Sequence, residues 1–396
     1  MLSKKAMGIS PSPTLAVDSR AKEMKSQGID VISFGSGEPD FDTPEHVREA
    51  AIKALNEGHT RYTPVAGTVE LKEAICNKLK RDNGLDYSPA QIVVSNGAKH
   101  SAFITLSAIL NPGEEVLIPA PYWVSYPEMV RLNDGVPVTV ECSDEKTLKI
   151  TPADLEKVAT TKTKALILNS PSNPTGQVYT EEELHAISDF CCSRDIYIIS
   201  DEVYEKILFD GARHFSPAAF GEREKEMTIV INGASKTYAM TGWRIGYSAT
   251  TVEMAKIISS VQSHTTGNAN SIAQQAMVAA LTGSQECVEE MRLAFDERRQ
   301  YIVSKTNSIK YLEAINPRGS FYLFVRVAEL FGKSYQKEQI MNSDDYARLL
   351  LENSKVAVVP GSGFGAPQHI RLSFATSMEN IIEGMNRIEA FSNALQ

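Results

Sequence analysis

The sequence predicts an α/β protein: a large domain over residues 43–288 with a mainly parallel, doubly wound sheet, and a smaller α+β domain over 289–396 to which residues 1–42 return. Three observations predict it. Short Ile- and Val-rich runs, apolar on both faces, recur between residues 91 and 248, as strands of a covered parallel sheet do. Helical segments separate them, which is the alternation of a doubly wound domain. Near residue 289 the alternation gives way to long helices and a later group of strands.

In chain order, residues 10–14 (S-P-S-P-T) read as an extended opening segment, because proline bars helix there. Residues 15–27 read as an amphipathic helix, with Leu15, Val17, Ala21 and Met24 among charges and Gly28 as its stop. A short strand at 31–34 runs into the glycine loop G-S-G-E-P-D-F at 35–41. Thr43 and Pro44 open a helix through residue 55, with Thr43 expected as its N-cap, and Gly58 ends it. A loop at 62–67 carries an exposed aromatic, and residues 69–83 resume as helix up to Gly84. Strands are expected at 91–94, 115–118, 165–168, 196–200, 228–231 and 244–248. Helices at 271–281 and 289–308, strands at 321–326, 356–359 and 369–374, and helices at 344–353 and from 378 complete the chain. No repeat of 20–50 residues is visible, which sets solenoids aside.

Composition excludes several classes. The chain has 396 residues, 42% of them hydrophobic and 22% charged, which suits a large globular core. A formal net charge of -9 argues against binding a phosphate backbone, which needs a basic face. The N-terminal residues lack the apolar core of a signal peptide, and no run approaches the roughly 18 residues that span a bilayer. A cytosolic protein is expected. Five cysteines without a C-x-x-C pair read as free thiols, and seven scattered histidines without an H-x-x-x-H pair predict no catalytic metal.

Four motifs fall at the carboxyl ends of predicted strands, where open α/β sheets bind ligands. In S-N-G-A-K-H (residues 95–100) a glycine turn enters a helix amino terminus suited to a phosphate, although a plain strand-to-helix turn explains it equally well. In N-S-P-S-N-P-T-G (169–176) two prolines and a glycine fix Asn173, whose amide can donate to an oxygen of a bound ring. In I-I-S-D-E-V-Y (198–204) Asp201 follows an apolar run, so its half-buried carboxylate needs a cation, either a protein side chain or a protonated ring nitrogen. In I-N-G-A-S-K-T-Y-A-M-T-G-W-R-I-G-Y (231–247) Lys236 follows a strand and Arg244 lies eight residues on. A lysine amine of ordinary pKa, about 10.4, is a poor nucleophile, so chemistry there needs desolvation or a cationic neighbour.

Together these motifs make the chain resemble the class I pyridoxal-phosphate aminotransferases of fold type I, the aspartate aminotransferase family. The resemblance runs from G-S-G-E-P-D (35–40) to R-L-S-F-A (371–375). It implies pyridoxal 5'-phosphate as cofactor, a large cofactor-binding domain, and a small domain that closes over the substrate. Lys236 would carry the cofactor covalently and, once freed, shuttle the proton between substrate Cα and cofactor C4′. Asp201 would pair with the ring nitrogen, and Asn173 and Tyr204 with the ring's phenolic oxygen. The phosphate would lie on Gly97, Ala98 and Lys99 with Ser235 and Arg244. Tyr62 would reach it from a neighbouring subunit, which implies a homodimer with shared sites. Trp123, in P-Y-W-V-S-Y-P, would stack on the ring, and Arg371 would clamp the substrate α-carboxylate with help from the Gly37 N–H. Without the family, Trp123 is equally well a core residue.

Two departures bear on specificity. The family's S-x-S-K is G-A-S-K here (233–236), which removes one serine contact to phosphate. The loop at 263–270 has no arginine to read a distal carboxylate. The chain is closer to a bacterial subgroup in which the lysine matching Lys99 takes that role, with Thr14 and Ser10 assisting. The expected reaction is amino exchange between L-aspartate and 2-oxoglutarate by a ping-pong mechanism. Aromatic amino acids, prephenate or alanine are the alternative substrates, and a carbon-sulfur lyase or decarboxylase is the alternative chemistry. The glycine-rich stretch at 361–365 suggests a nicotinamide dehydrogenase, but it lacks G-x-G-x-x-G spacing. A cofactor-sensing regulator would need a basic DNA-binding module, and none is seen.

Overall fold

The structure is a computed structural model that describes residues 2–11 and 13–396. At its centre is a seven-stranded sheet. Across it the strands run Ile92–Ser95, Gly246–Ala249, Thr228–Gly233, Tyr197–Asp201, Thr163–Asn169, Glu115–Pro119 and Val136–Val140. All neighbours pair in parallel except Gly246–Ala249, which is antiparallel on both sides. The parallel strands therefore deliver their carboxyl ends to one edge. The register sets Asn169 beside Asp201 and Asp201 beside Ile231, so the motifs that follow these strands meet there.

Propensity and capping account for most elements. Helix Val69–Asn83 starts at Thr68, whose Oγ1 accepts from the Leu71 N–H at 3.3 Å, and stops at Gly84 with φ 68°. Helix Glu181–Cys192 starts with a full capping box between Thr180 and Glu183. Thr43 is not the N-cap expected for Glu45–Asn56. Pro44 holds that position, and the Thr43 hydroxyl instead donates to the Ala239 carbonyl at 2.8 Å and accepts from Trp243 Nε1 at 2.9 Å. A tertiary pair of partners has displaced a local one.

The helix expected at 15–27 runs Pro13–Ser26, so the extended segment ends sooner than expected, since proline suits a first turn. Ser12, inside that segment, lies outside the described residues. Ala21 and Met24 face the core, whereas Leu15 is exposed. Leu15 sits roughly 200° round the helix from Val17, off the shared face of 17, 21 and 24. Strand Val136–Val140 was not predicted: Pro137 and an edge position hide its pattern.

Beyond the sheet, Val359–Pro360, His369–Ser373, Tyr322–Arg326 and Glu313–Ile315 form a four-stranded antiparallel sheet in that order. Ile32–Ser33 pairs in parallel with Val356–Ala357. The Ser373 N–H donates to the Phe34 carbonyl at 2.8 Å, which pins the glycine loop after Phe34 against the strand carrying Arg371. One apolar cluster joins Phe34 to Phe295, Phe321, Leu372 and Ile388. Among the described residues no helix is long and apolar enough to cross a membrane.

Candidate active site

A cavity of about 300 Å³ opens where the carboxyl edge of the large sheet faces the smaller one. Asp201, Tyr204, Asn173, Ser235, Lys236 and Arg244 line it from the large sheet's loops, with Ala98, Lys99 and Trp123. Thr14, Gly37 and Arg371 reach it from the other side. Gly97 borders it through Arg244. Tyr62 does not line it and is 97% exposed on this chain.

Lys236 stands on the short helix Ala234–Thr237, directly after strand Thr228–Gly233. Its Nζ donates to the Gly37 carbonyl at 2.6 Å. Burial brings its pKa down to about 8; Glu38 and Asp201 oppose the shift, while Arg244 and Arg371 add to it. The amine is therefore partly free base near neutrality, as a nucleophile and proton carrier requires.

Asp201 ends its strand at 6% exposure. The Tyr126 hydroxyl donates to its Oδ2 at 2.6 Å and the Val203 N–H to Oδ1 at 3.4 Å. Burial still pushes it up to about 6. A buried acid held this far above its ordinary range gains when a cation docks against it.

Arg371 is 1% exposed, and no carboxylate lies within ion-pair reach of it among the described residues. Its Nη1 donates to Asn173 Oδ1 and its Nη2 to the Gly35 carbonyl, each at 3.0 Å, while Nε is buried without a partner. The Tyr322 and Phe364 rings stack at 4.4 and 5.1 Å. A buried guanidinium with only neutral neighbours awaits an anion.

At the other end, Gly97 precedes helix Ala98–Ile109 with φ 89°. A Cβ there would meet Arg244 Nη2 at 2.6 Å. Only a glycine leaves room for that guanidinium over the helix amino terminus, where free N–H groups and the helix dipole attract an anion. Arg244 itself has φ 53° and donates to the Thr241 carbonyl at 2.8 Å. Lys99 Nζ lies 4.8 Å over the Trp123 ring, and burial beside Arg244 lowers its pKa. Thr14 Oγ1 is buried without a partner.

The set fits a flat, phosphate-bearing heterocycle. It offers an amine, a buried acid, a glycine cradle under an arginine at one end, and an unpaired arginine at the other. Sequence reasoning missed Tyr126, Asn169 and Tyr322. Tyr126 lies one helical turn past Trp123 in a motif already noticed, and the two rings meet edge to face at 5.2 Å. Asn169 Nδ2 donates to the Asp201 carbonyl at 2.9 Å, and its Oδ1 accepts from the Asn173 N–H at 2.8 Å. Tyr322, inside the strand expected at 321–326, shares a 3.0 Å hydrogen bond with Tyr204.

Comparison with known proteins agrees. Residues 29–388 match the model of the family described as aminotransferase class I and II. The chain is 48% identical over 390 residues to the aspartate aminotransferase of Bacillus subtilis (strain 168), covering 98% of each. It is 46% identical over 390 residues to the probable aspartate/prephenate aminotransferase of Aquifex aeolicus (strain VF5), again 98% of each. Among solved structures, the aspartate aminotransferase from Rhizobium meliloti superposes with a TM-score of 0.97 at 40% identity, covering 100% of both chains. That of Thermus thermophilus with maleate gives 0.93 at 42% identity, covering 99% of both.

Proposed function

The chain belongs to the class I and II aminotransferases and depends on pyridoxal 5'-phosphate, and from that premise we propose that it exchanges the amino group between L-aspartate and 2-oxoglutarate in two half-reactions. When bound, the cofactor supplies the carbonyl carbon that takes the amino group and the ring that accepts an electron pair. Arg371 grips the α-carboxylate as a two-pronged donor, with its unpartnered Nε and the Asn173 amide beside it. This unpaired, buried arginine is the observation that carries the reading.

With the cofactor bound, Lys236 Nζ, set at about 8, would hold it covalently and, once freed by the substrate amine, would take the Cα proton of the bound amino acid. Asp201 would pair with the protonated ring nitrogen. Tyr204, which burial keeps protonated and which Tyr322 orients, donates to the ring oxygen together with Asn173. Ser235, Arg244 and the N–H groups of Gly97, Ala98 and Lys99 hold the phosphate. Trp123 covers one ring face.

Substrate choice rests on Lys99, whose ammonium over Trp123 faces the same cavity as Thr14. A dicarboxylate then spans Arg371 and Lys99; maleate, the ligand named for the Thermus thermophilus relative, is also a dicarboxylate. A panel of amino donors against 2-oxoglutarate tests this. Lys99→Ala should cut kcat/KM for aspartate by about two orders of magnitude, the scale of one lost charge-assisted contact, while sparing alanine. Unchanged aspartate turnover in Lys99→Ala would overturn the assignment of the distal carboxylate to Lys99; a wild-type panel that prefers prephenate to aspartate would shift the reading to that substrate, which the Aquifex aeolicus relative's name includes.

Residues 43–288 form the cofactor domain in this reading, and 1–42 with 289–396 form the domain that closes over substrate. The working form is a homodimer in which Tyr62 reaches the neighbouring phosphate. Its exposed ring and the exposed Ile52, Leu55 and Val69 support that arrangement. Five free cysteines suit the cytosol.

A further inference from the structure

We propose that Glu202 is a positioning residue for amino transfer: its buried carboxylate is a second negative charge behind Asp201 that strengthens the hold of Asp201 on a protonated ring nitrogen. The inference rests on the role given to Asp201 above. Asp201 and Glu202 are consecutive where strand Tyr197–Asp201 ends, so their side chains leave the strand on opposite faces. Asp201 turns to the cavity and Glu202 to the interior, at 1% exposure.

Among the described residues no lysine or arginine pairs with Glu202. Ser200 and Ser216 donate their hydroxyls to Oε1 at 2.8 and 2.6 Å. His214 Nε2 lies 3.0 Å from Oε2, and His214 Nδ1 is buried with no partner. The tautomer protonated on Nε2 donates to Glu202 and avoids burying an unpaired N–H at Nδ1.

Glu205, three residues on, is the contrast. Lys78 contacts its Oε1, Asn232 donates to the same oxygen at 3.0 Å, and Asn83 donates to Oε2 at 2.7 Å. Lysine and carboxylate cancel there. Among the described residues Glu202 has no lysine or arginine against it.

Its neighbours register that charge. Burial raises the pKa of the Tyr87 and Tyr247 hydroxyls, which lack partners, and Glu202 adds to the shift in both. Burial raises that of Asp201 against Tyr126, Val203 and Lys236, and Glu202 again adds. Glu202, Glu205 and His214 bring ligand-type atoms within 4.8 Å of one another. Each carboxylate oxygen already has a serine, histidine, asparagine or lysine partner, so the group is a closed hydrogen-bond set and not a cation site.

Isotope-edited infrared titration of the full chain, with the Asp201 band identified by its loss in Asp201→Asn, provides the test. Glu202→Gln keeps the size of the side chain and an oxygen to accept from Ser200 and Ser216, and removes the charge. It should lower the proton affinity of Asp201 about tenfold, one pH unit of midpoint. His214→Lys, which gives Glu202 the cation that Glu205 already has, should move it the same way if Glu202→Gln does not fold. With cofactor labelled with 15N in the ring, Glu202→Gln should also release the ring proton at lower pH. A folded variant whose Asp201 midpoint matches the wild type overturns the proposal. A chain that takes up no cofactor overturns the role of Asp201 instead, and the infrared arm still reads the charge of Glu202.

Discussion

Arg371 shows at the scale of one residue how an unfavourable arrangement serves a site. Burying a charge without a counter-charge costs several kcal/mol, and two carbonyl-type acceptors and two rings only partly offset it. A substrate carboxylate completes the set, so Arg371→Lys, which keeps charge but loses the fork, should lower kcat/KM about 100-fold in steady-state assays. Asp201 stores a similar cost, and its sign can be followed with pH. Its folded pKa of about 6 exceeds the unfolded value of about 3.9, so the cofactor-free protein loses stability as pH rises from about 4 to about 6. About two units correspond to about 3 kcal/mol. Denaturant unfolding of cofactor-free Asp201→Asn should therefore show a gain approaching that figure at pH 8 and little below pH 4.

Elements matter through their ends. Strand Ile92–Ser95, a turn through Gly97 and helix Ala98–Ile109 aim a helix amino terminus at Arg244. Gly97→Ala places a methyl against that guanidinium and forces a side chain into φ 89°. The strain, about 1–3 kcal/mol, falls at the phosphate cradle. Equilibrium titration with pyridoxal phosphate should show affinity down at least tenfold with the global fold kept. The turn at 201–205 is held likewise: Asp201 and Tyr204 face the cavity, while Glu202 and Glu205 anchor its back to His214 and Lys78.

For the whole molecule, the exposure of Tyr62, Ile52, Leu55 and Val69 gives the dimer its test. Sedimentation should return twice the chain mass. Tyr62→Phe should leave that mass unchanged yet weaken cofactor affinity about tenfold, as loss of a hydroxyl donor to phosphate would. Paired with Lys236→Ala chains of intact Tyr62, Tyr62→Phe chains should regain affinity, because in the proposed dimer each site would borrow the ring from its neighbour.

The order of motifs alone determined the family and the cofactor, and pointed to Lys236, Asp201, Asn173, Arg244 and Arg371, which line one cavity. Asn173, Asp201 and Lys236 were legible because parallel strands end at one edge, so a motif after each strand is also a position in space. The local caps at Thr68 and Gly84 were legible for the same kind of reason, since their partners lie within one turn. Tertiary structure decided what depends on distant partners. Thr43 exchanged a cap for Ala239 and Trp243, Tyr204 found Tyr322 across 118 residues, and Glu202 found His214. A side chain's partner, and hence its charge, is set by which segments pack together, and no spacing along the chain records that.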